Sequence, residues 1–123
     1  MSTESVDAWM TATISKFGRL DGAVNLAGVI GPGIGHVGVK DMTDKEWDFV
    51  MGVNLTGTFK SVRAELKVMS EGGSIVNTSS VAGVKGFPFN AAYTAGKWGV
   101  IGLTKSAAGE VGDRNIRVNC INP

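Results

Sequence analysis

Gly73-Ser74-Ile75-Val76-Asn77-Thr78-Ser79-Ser80 begins with glycine, has a β-branched centre and ends in polar residues. This pattern predicts a short buried strand that runs into a loop. Two further segments, residues 21–28 and 116–121, have apolar centres of the same kind and are predicted to be strands. The chain therefore offers three strands, each long enough to contribute to the core of a sheet.

Helical patterns separate the three predicted strands. Apolar side chains recur every three or four positions in residues 6–17 and 47–69, and a third helix is predicted over about residues 90–111. Residues 43–46 match a capping box, with Thr43 as the N-cap and Glu46 reaching back to the backbone. The order α-β-α-β-α-β implies a parallel sheet with right-handed crossovers and helices on both faces.

The bulk composition narrows the class of protein. The 123 residues fit one domain, and 43% hydrophobic with 19% charged residues is typical of a globular chain. A net charge of +1 and the lack of a basic run argue against nucleic-acid binding. No apolar run approaches the ~20 residues that span a bilayer, so no membrane association is expected. A single cysteine favours a reducing compartment, and we expect a cytoplasmic protein.

The only tyrosine, Tyr93, lies four positions before Lys97 in the third predicted helix. Positions i and i+4 share a helix face, so the phenol and the ammonium are expected to lie side by side. An ammonium stabilises a neighbouring phenolate, which makes such a pair a proton donor and acceptor. Ser80 lies thirteen positions before Tyr93, at the end of the central strand, and is expected to bring a hydroxyl to the same place.

This arrangement resembles the short-chain dehydrogenase/reductase family. Residues 25–28, Asn-Leu-Ala-Gly, are similar to its Asn-Asn-Ala-Gly motif, residues 53–59 to its asparagine helix, and residues 117–123 to its sixth strand. The resemblance implies a Rossmann-like three-layer αβα fold, of which residues 1–123 supply about three strands of a partial doubly wound sheet. It also implies an oxidoreductase that transfers a hydride between NAD or NADP and an alcohol or carbonyl substrate, and a homo-oligomer formed through the two long helices.

The resemblance also implies roles for individual residues. The catalytic tetrad is Ser80, Tyr93, Lys97 and Asn54, and the implied cofactor-binding residues are Asn25, Ala27, Gly28, Tyr93, Lys97 and Pro123. Three alternatives stay open. Ser79 is a second candidate hydroxyl, since adjacent strand residues face opposite sides. Asn54 is also suited to satisfying backbone groups at a helix irregularity, and Gly28 to a simple turn.

Residues 33–38 match Gly-x-Gly-x-x-Gly, yet a cofactor loop is not predicted there. A dinucleotide fingerprint opens a helix directly after a strand, whereas residues 39–42 intervene here before the capping box. We expect a flexible loop near the substrate. His36 in this loop has no carboxylate or cysteine at ligand spacing, so no metal site is predicted.

The family's pyrophosphate-binding turn has no counterpart in this sequence. We therefore expect the chain to be a fragment of a longer protein, and expect weak or no cofactor binding by these residues alone. An alternative function is a catalytically inactive module that pairs with another chain through its long helices.

Overall fold

The computed structural model describes residues 2–123, which form four α-helices and a three-stranded sheet. In chain order, the elements are α1 (Thr3–Phe17), β1 (Leu20–Asn25), α2 (Asp44–Met51), α3 (Thr58–Val68), β2 (Met69–Thr78), α4 (Ala91–Glu110) and β3 (Arg117–Ile121). All three predicted strands and all three predicted helical regions are present. The middle helical region, however, is divided between α2 and α3.

The ends of α1 follow from local chemistry. The Ser2 hydroxyl accepts a hydrogen bond from the Ser5 N–H at 3.1 Å, which satisfies one of the free donors at the helix start. Gly18 ends the helix in the left-handed conformation, with φ of 81°, and its N–H donates to Ile14. Glycine suits this position because a side chain there is strained.

The sheet is parallel, with the strand order β1-β2-β3. Ala23 lies beside Ile75, which in turn lies beside Val118. These three side chains point towards the helices and pack with apolar residues of α3 and α4. A smaller cluster joins α1 to α3 through Val6, Met10 and Ala64.

The opposite face of the sheet is open within residues 2–123. Successive strand residues point to opposite faces, so Val24 points away from the helical layer that covers Ala23. Its relative exposure is 61%, and that of Ile121 on the same face is 47%. The prediction of helices on both faces therefore differs from the structure, in which the described helices form one layer. The physical reason is that three parallel strands in sequential order, joined by right-handed crossovers, place every crossover on the same side.

A π-helical segment, Gly52–Gly57, separates α2 from α3. The apolar periodicity predicted a continuous helix here, because a π-helical turn changes the hydrogen bonding without interrupting the helix direction. Such segments are rare and are frequently found at functional sites. Asn54 is buried at its centre. Among residues 2–123, no helix is both long enough and apolar enough to cross a membrane.

Candidate active site

A cleft of about 410 Å³ opens at the carboxyl ends of β1 and β2. Ten residues line it: Leu26, Gly28, Val29, Ile30, Thr78, Ser79, Ser80, Tyr93, Lys97 and Pro123. Ligands of open parallel sheets bind at this edge, because loops from neighbouring strands converge there. The structure thus brings five of the predicted site residues together, namely Gly28, Ser80, Tyr93, Lys97 and Pro123.

The two candidate serines have different environments. Ser79 is buried, and its hydroxyl donates to the Lys97 carbonyl at 2.7 Å inside the chain. The Ser80 hydroxyl is more exposed; it accepts from the Ala82 N–H and donates to the Pro123 carbonyl, both at 3.3 Å. The weak bonds of Ser80 leave it available to a ligand in the cleft, whereas Ser79 is committed to holding α4.

Tyr93 and Lys97 lie on the same face of α4. The Lys97 ammonium is 5.5 Å from the centre of the Tyr93 ring. Lys97 is only 3% exposed, and its Nζ donates to the Thr78 carbonyl at 2.9 Å. Burial lowers the pKa of Lys97 below its usual value, an effect that the nearby Cys120 partly opposes. An ammonium that loses its proton more readily than usual is suited to a site of proton transfer.

Asn54 lies beneath the cleft rather than on its wall. Its Nδ2 donates to the carbonyls of Val29 and Val50, at 2.8 and 3.0 Å, and its Oδ1 accepts from the Val29 N–H at 3.1 Å. The side chain therefore does satisfy backbone groups at a helix irregularity, as one alternative proposed. Its membership of the catalytic tetrad stays a prediction.

Gly28 supplies the close approach that a cofactor would need. A Cβ atom on this residue would lie 2.9 Å from Asn54 Oδ1 and 3.3 Å from Lys97 Nζ. The absence of a side chain thus keeps a space open beside the buried ammonium. An ammonium has three donors, and Thr78 takes one of those of Lys97. Such a cation facing an open cleft fits a ligand rich in hydroxyl groups, as the ribose of NAD or NADP is.

Asn25 and Ala27 do not line this cleft. They line a neighbouring cavity of about 190 Å³ against residues 52–61. The amide of Asn25 donates to Asn77 Oδ1 at 2.9 Å and to Glu65 Oε2 at 3.1 Å. Its side chain is therefore used inside the chain, and its contact with a cofactor remains a prediction.

Glu65 is a buried acid that the sequence analysis missed. It is 1% exposed, and its other oxygen, Oε1, has no hydrogen-bond partner within residues 2–123. Burial raises the pKa of Glu65, although the bond from Asn25 lowers it in part. The only indication in the sequence was that Glu65 lies next to Leu66, which belongs to the apolar stripe of its helix.

The glycine-rich loop encloses a carboxylate. The Gly33 N–H donates to Glu46 Oε1 at 2.8 Å. Thr43 caps α2 as predicted, since its hydroxyl accepts from the Glu46 N–H. The Glu46 side chain, however, reaches across to the loop, so this half of the predicted capping box is wrong. The carboxylate accepts from the Gly33 N–H of the loop instead of from the backbone N–H of Thr43. Within residues 2–123, no three potential metal ligands are grouped.

Comparison with known proteins identifies the family. The family model described as enoyl-(acyl carrier protein) reductase matches residues 1–123. A short-chain dehydrogenase/reductase ABA4 of Pyricularia oryzae (strain 70-15) is 58% identical over 118 residues, which are 96% of this chain and 44% of that protein. The chain therefore belongs to the short-chain dehydrogenase/reductase family. It spans less than half the length of this relative.

Solved structures of similar proteins have the same fold as this chain. A crystal structure of levodione reductase matches with a TM-score of 0.93 and 41% identity, over 99% of this chain and 47% of that one. ElxO with NADP bound matches with a TM-score of 0.90 and 35% identity, over 99% of this chain and 49% of that one. These neighbours confirm the predicted Rossmann-like fold class.

Proposed function

We propose that the protein is an NAD(P)-dependent oxidoreductase that interconverts an alcohol and a carbonyl compound. The observation that supports this proposal most directly is the shared cleft of Ser80, Tyr93 and Lys97, with the Lys97 ammonium beside the phenol ring. The family and the NADP bound in the similar structure of ElxO support a nicotinamide cofactor. The cofactor would supply the hydride acceptor or donor.

The residues of the cleft have complementary roles in this proposal. Tyr93 gives a proton to the carbonyl oxygen during reduction and takes one from the alcohol during oxidation. The Lys97 ammonium stabilises the phenolate that remains and donates to ribose hydroxyls. The Ser80 hydroxyl donates to the substrate oxygen and stabilises negative charge that develops there.

The remaining predicted residues shape the cleft or bind the cofactor. Asn54 fixes Val29 and shapes the floor beside Gly28, and we include it as the fourth member of the tetrad. Asn25, Ala27, Gly28 and Pro123 contribute to binding the cofactor.

Substitution of Tyr93 by Phe in the complete native protein tests the proposal. We use levodione as the ketone probe and cyclohexanol as the alcohol probe, each with both cofactors. Loss of the phenol proton is expected to lower kcat at least about 100-fold, because general acid–base catalysis contributes about that much. The dissociation constant for NADH or NADPH, measured by fluorescence, is expected to stay within about twofold, since the ring is kept.

Lys97→Met provides a second test, with Lys105→Met as its control. Both lysines lie on α4, but Lys105 is exposed and does not line the cleft. Lys97→Met is expected to reduce both turnover and cofactor binding, and Lys105→Met neither. Undiminished turnover in Tyr93→Phe would refute the proposal. Absence of saturable cofactor binding in the unmodified protein would instead favour the inactive module.

We also propose that a second copy of the chain packs on α3 and α4. A groove of about 350 Å³ runs between these helices, with Phe59, Leu66 and Leu103 in its lining. Phe59 is 42% exposed in the isolated chain. Phe59→Glu is expected to shift the protein to monomer in sedimentation velocity, because it places a charge in the contact. An unchanged sedimentation coefficient would contradict this assembly.

A further inference from the structure

The loop that follows β1 is fixed to the rest of the chain at three points. Asn54 holds Val29 at its start. The Gly33 N–H donates to Glu46 Oε1, and the Gly35 N–H donates to the Phe89 carbonyl at 2.9 Å. The expected flexible loop is therefore tied to α2 on one side and to the segment before α4 on the other.

The glycines of the loop make room for the Glu46 carboxylate. A Cβ atom at Gly31 would collide with Glu46 Oε1, and one at Gly33 would lie 2.7 Å from Val37 Cγ2 and 2.9 Å from the same carboxylate oxygen. Hydrogen bonds to ionised groups are stronger than those between neutral groups. Glu46 thus acts as a clamp, a term we use for the bond between its carboxylate and the Gly33 N–H.

The clamp lies directly behind the candidate catalytic tyrosine. Gly31, Glu46 and Tyr93 line one small cavity of about 10 Å³, which is no larger than a single water molecule needs. Val29 and Ile30, which precede the clamped Gly33 by four and three positions, line the active-site cleft. A shift of the loop would therefore move the cleft wall that faces Tyr93.

We propose that Glu46 is a positioning residue that holds the Val29–Ile30 wall against the substrate. This inference rests on the proposed oxidoreductase function. Glu46 touches neither the reacting atoms nor the cofactor, and it acts through the loop backbone. Its effect therefore falls on substrate binding, while proton transfer and cofactor binding are largely kept.

Three variants of the complete native protein test this role. Glu46→Ala removes the acceptor, and its KM for levodione or cyclohexanol is expected to rise about tenfold, the effect of one lost charge-assisted hydrogen bond. Its kcat is expected to stay within about threefold, and its NADH or NADPH affinity is expected to be unchanged. Glu46→Gln keeps an oxygen acceptor and is expected to restore KM to near the wild-type value. Asp48→Ala removes an exposed carboxylate from the same helix and is expected to have no effect.

Amide hydrogen exchange gives a readout that needs no activity. The Gly33 N–H is expected to be protected in the wild type and in Glu46→Gln, and to exchange faster in Glu46→Ala. Gly31→Ala is expected to displace the carboxylate and raise KM in the same way, with little further effect in the Glu46→Ala background.

Two outcomes would overturn the positioning role: an unchanged KM in Glu46→Ala, or equal effects of the Ala and Gln substitutions. Equal Gly33 exchange in the wild type and Glu46→Ala would refute the clamp itself. Absence of saturable NADH and NADPH binding by the wild-type protein would contradict the proposed function instead, and the exchange experiment would still decide the clamp.

Discussion

The side-chain amide of Asn54 pairs with the backbone of Val29 in both directions. Its Oδ1 accepts from the Val29 N–H at 3.1 Å, and its Nδ2 donates to the Val29 carbonyl at 2.8 Å. A buried residue of the π-helical segment thereby satisfies both backbone groups of a residue in the loop that follows β1. The bond links the floor of the cleft to its wall.

Asn54→Ala is expected to lower the free energy of unfolding by about 2 kcal/mol, because it leaves two backbone groups of Val29 without their partners. Urea unfolding measures this loss. Thr56→Ala, an exposed substitution in the same segment, is the control and is expected to change stability by less than about 0.5 kcal/mol. Equal effects of the two substitutions would contradict a structural role for the amide.

Ser79→Ala is expected to affect mainly stability, and Ser80→Ala mainly turnover. Ser79→Ala removes a buried bond to the Lys97 carbonyl and is expected to cost about 1 kcal/mol of stability. Ser80→Ala is expected to leave the urea midpoint unchanged and to lower kcat, because its hydroxyl faces the cleft. If Ser79→Ala instead abolished turnover without loss of stability, the assignment of the two serines would be reversed.

Lys97→Met is expected to change how stability depends on pH. Burial lowers the pKa of Lys97 in the folded state below its ordinary value of 10.5. Between the lowered pKa of the folded state and the ordinary value, the unfolded chain binds more protons than the folded chain does. The free energy of unfolding therefore rises with pH in that window. Lys97→Met is expected to remove this rise, and Lys105→Met is expected to keep it. Urea titrations from neutral pH to about pH 10 measure the slope; an identical slope in wild type and Lys97→Met would refute the effect.

Glu65→Gln is expected to act in the opposite direction. Burial raises the pKa of Glu65 above its ordinary value of 4.5, so above that value the folded state binds more protons than the unfolded chain. The free energy of unfolding therefore falls as pH rises from 4.5 through the folded-state pKa. Glu65→Gln is expected to reduce this fall, and Glu110→Gln, on the exposed end of α4, is expected to retain it. Calorimetry at several pH values measures this dependence. The same fall in both variants as in the wild type would contradict the prediction.

Short-range patterns predicted most of the fold and part of the candidate site. The four-residue step from Tyr93 to Lys97 is enough to place both on one helix face, and the structure has them there. Strand alternation predicted that only one of Ser79 and Ser80 can serve as the hydroxyl of the site, but it does not say which. The choice depends on the Lys97 carbonyl, which lies 18 positions away in sequence.

These short-range patterns do not predict contacts between segments that are distant in the sequence. Asn25 and Glu65 are 40 positions apart, and neither has a local partner that would indicate a bond between them. The clamp on Gly33 was missed for a related reason, since Glu46 matched a local capping rule, whereas its carboxylate accepts from a donor 13 positions away. The roles of the tetrad and of the cofactor-binding residues stay predictions until the variants are measured.

The irregular turn at Gly52–Gly57 fixes the number of residues between the Thr43 cap and the apolar residues of α3. The i→i+5 bonds of this segment take about one residue more than a regular helix needs for the same span, so deletion of one residue here would leave a regular helix and keep Val62 against the sheet. The deletion would, however, remove the irregularity that holds the Asn54 amide against Val29. Natural variation in length is therefore expected to accumulate in the exposed loops and to spare this turn.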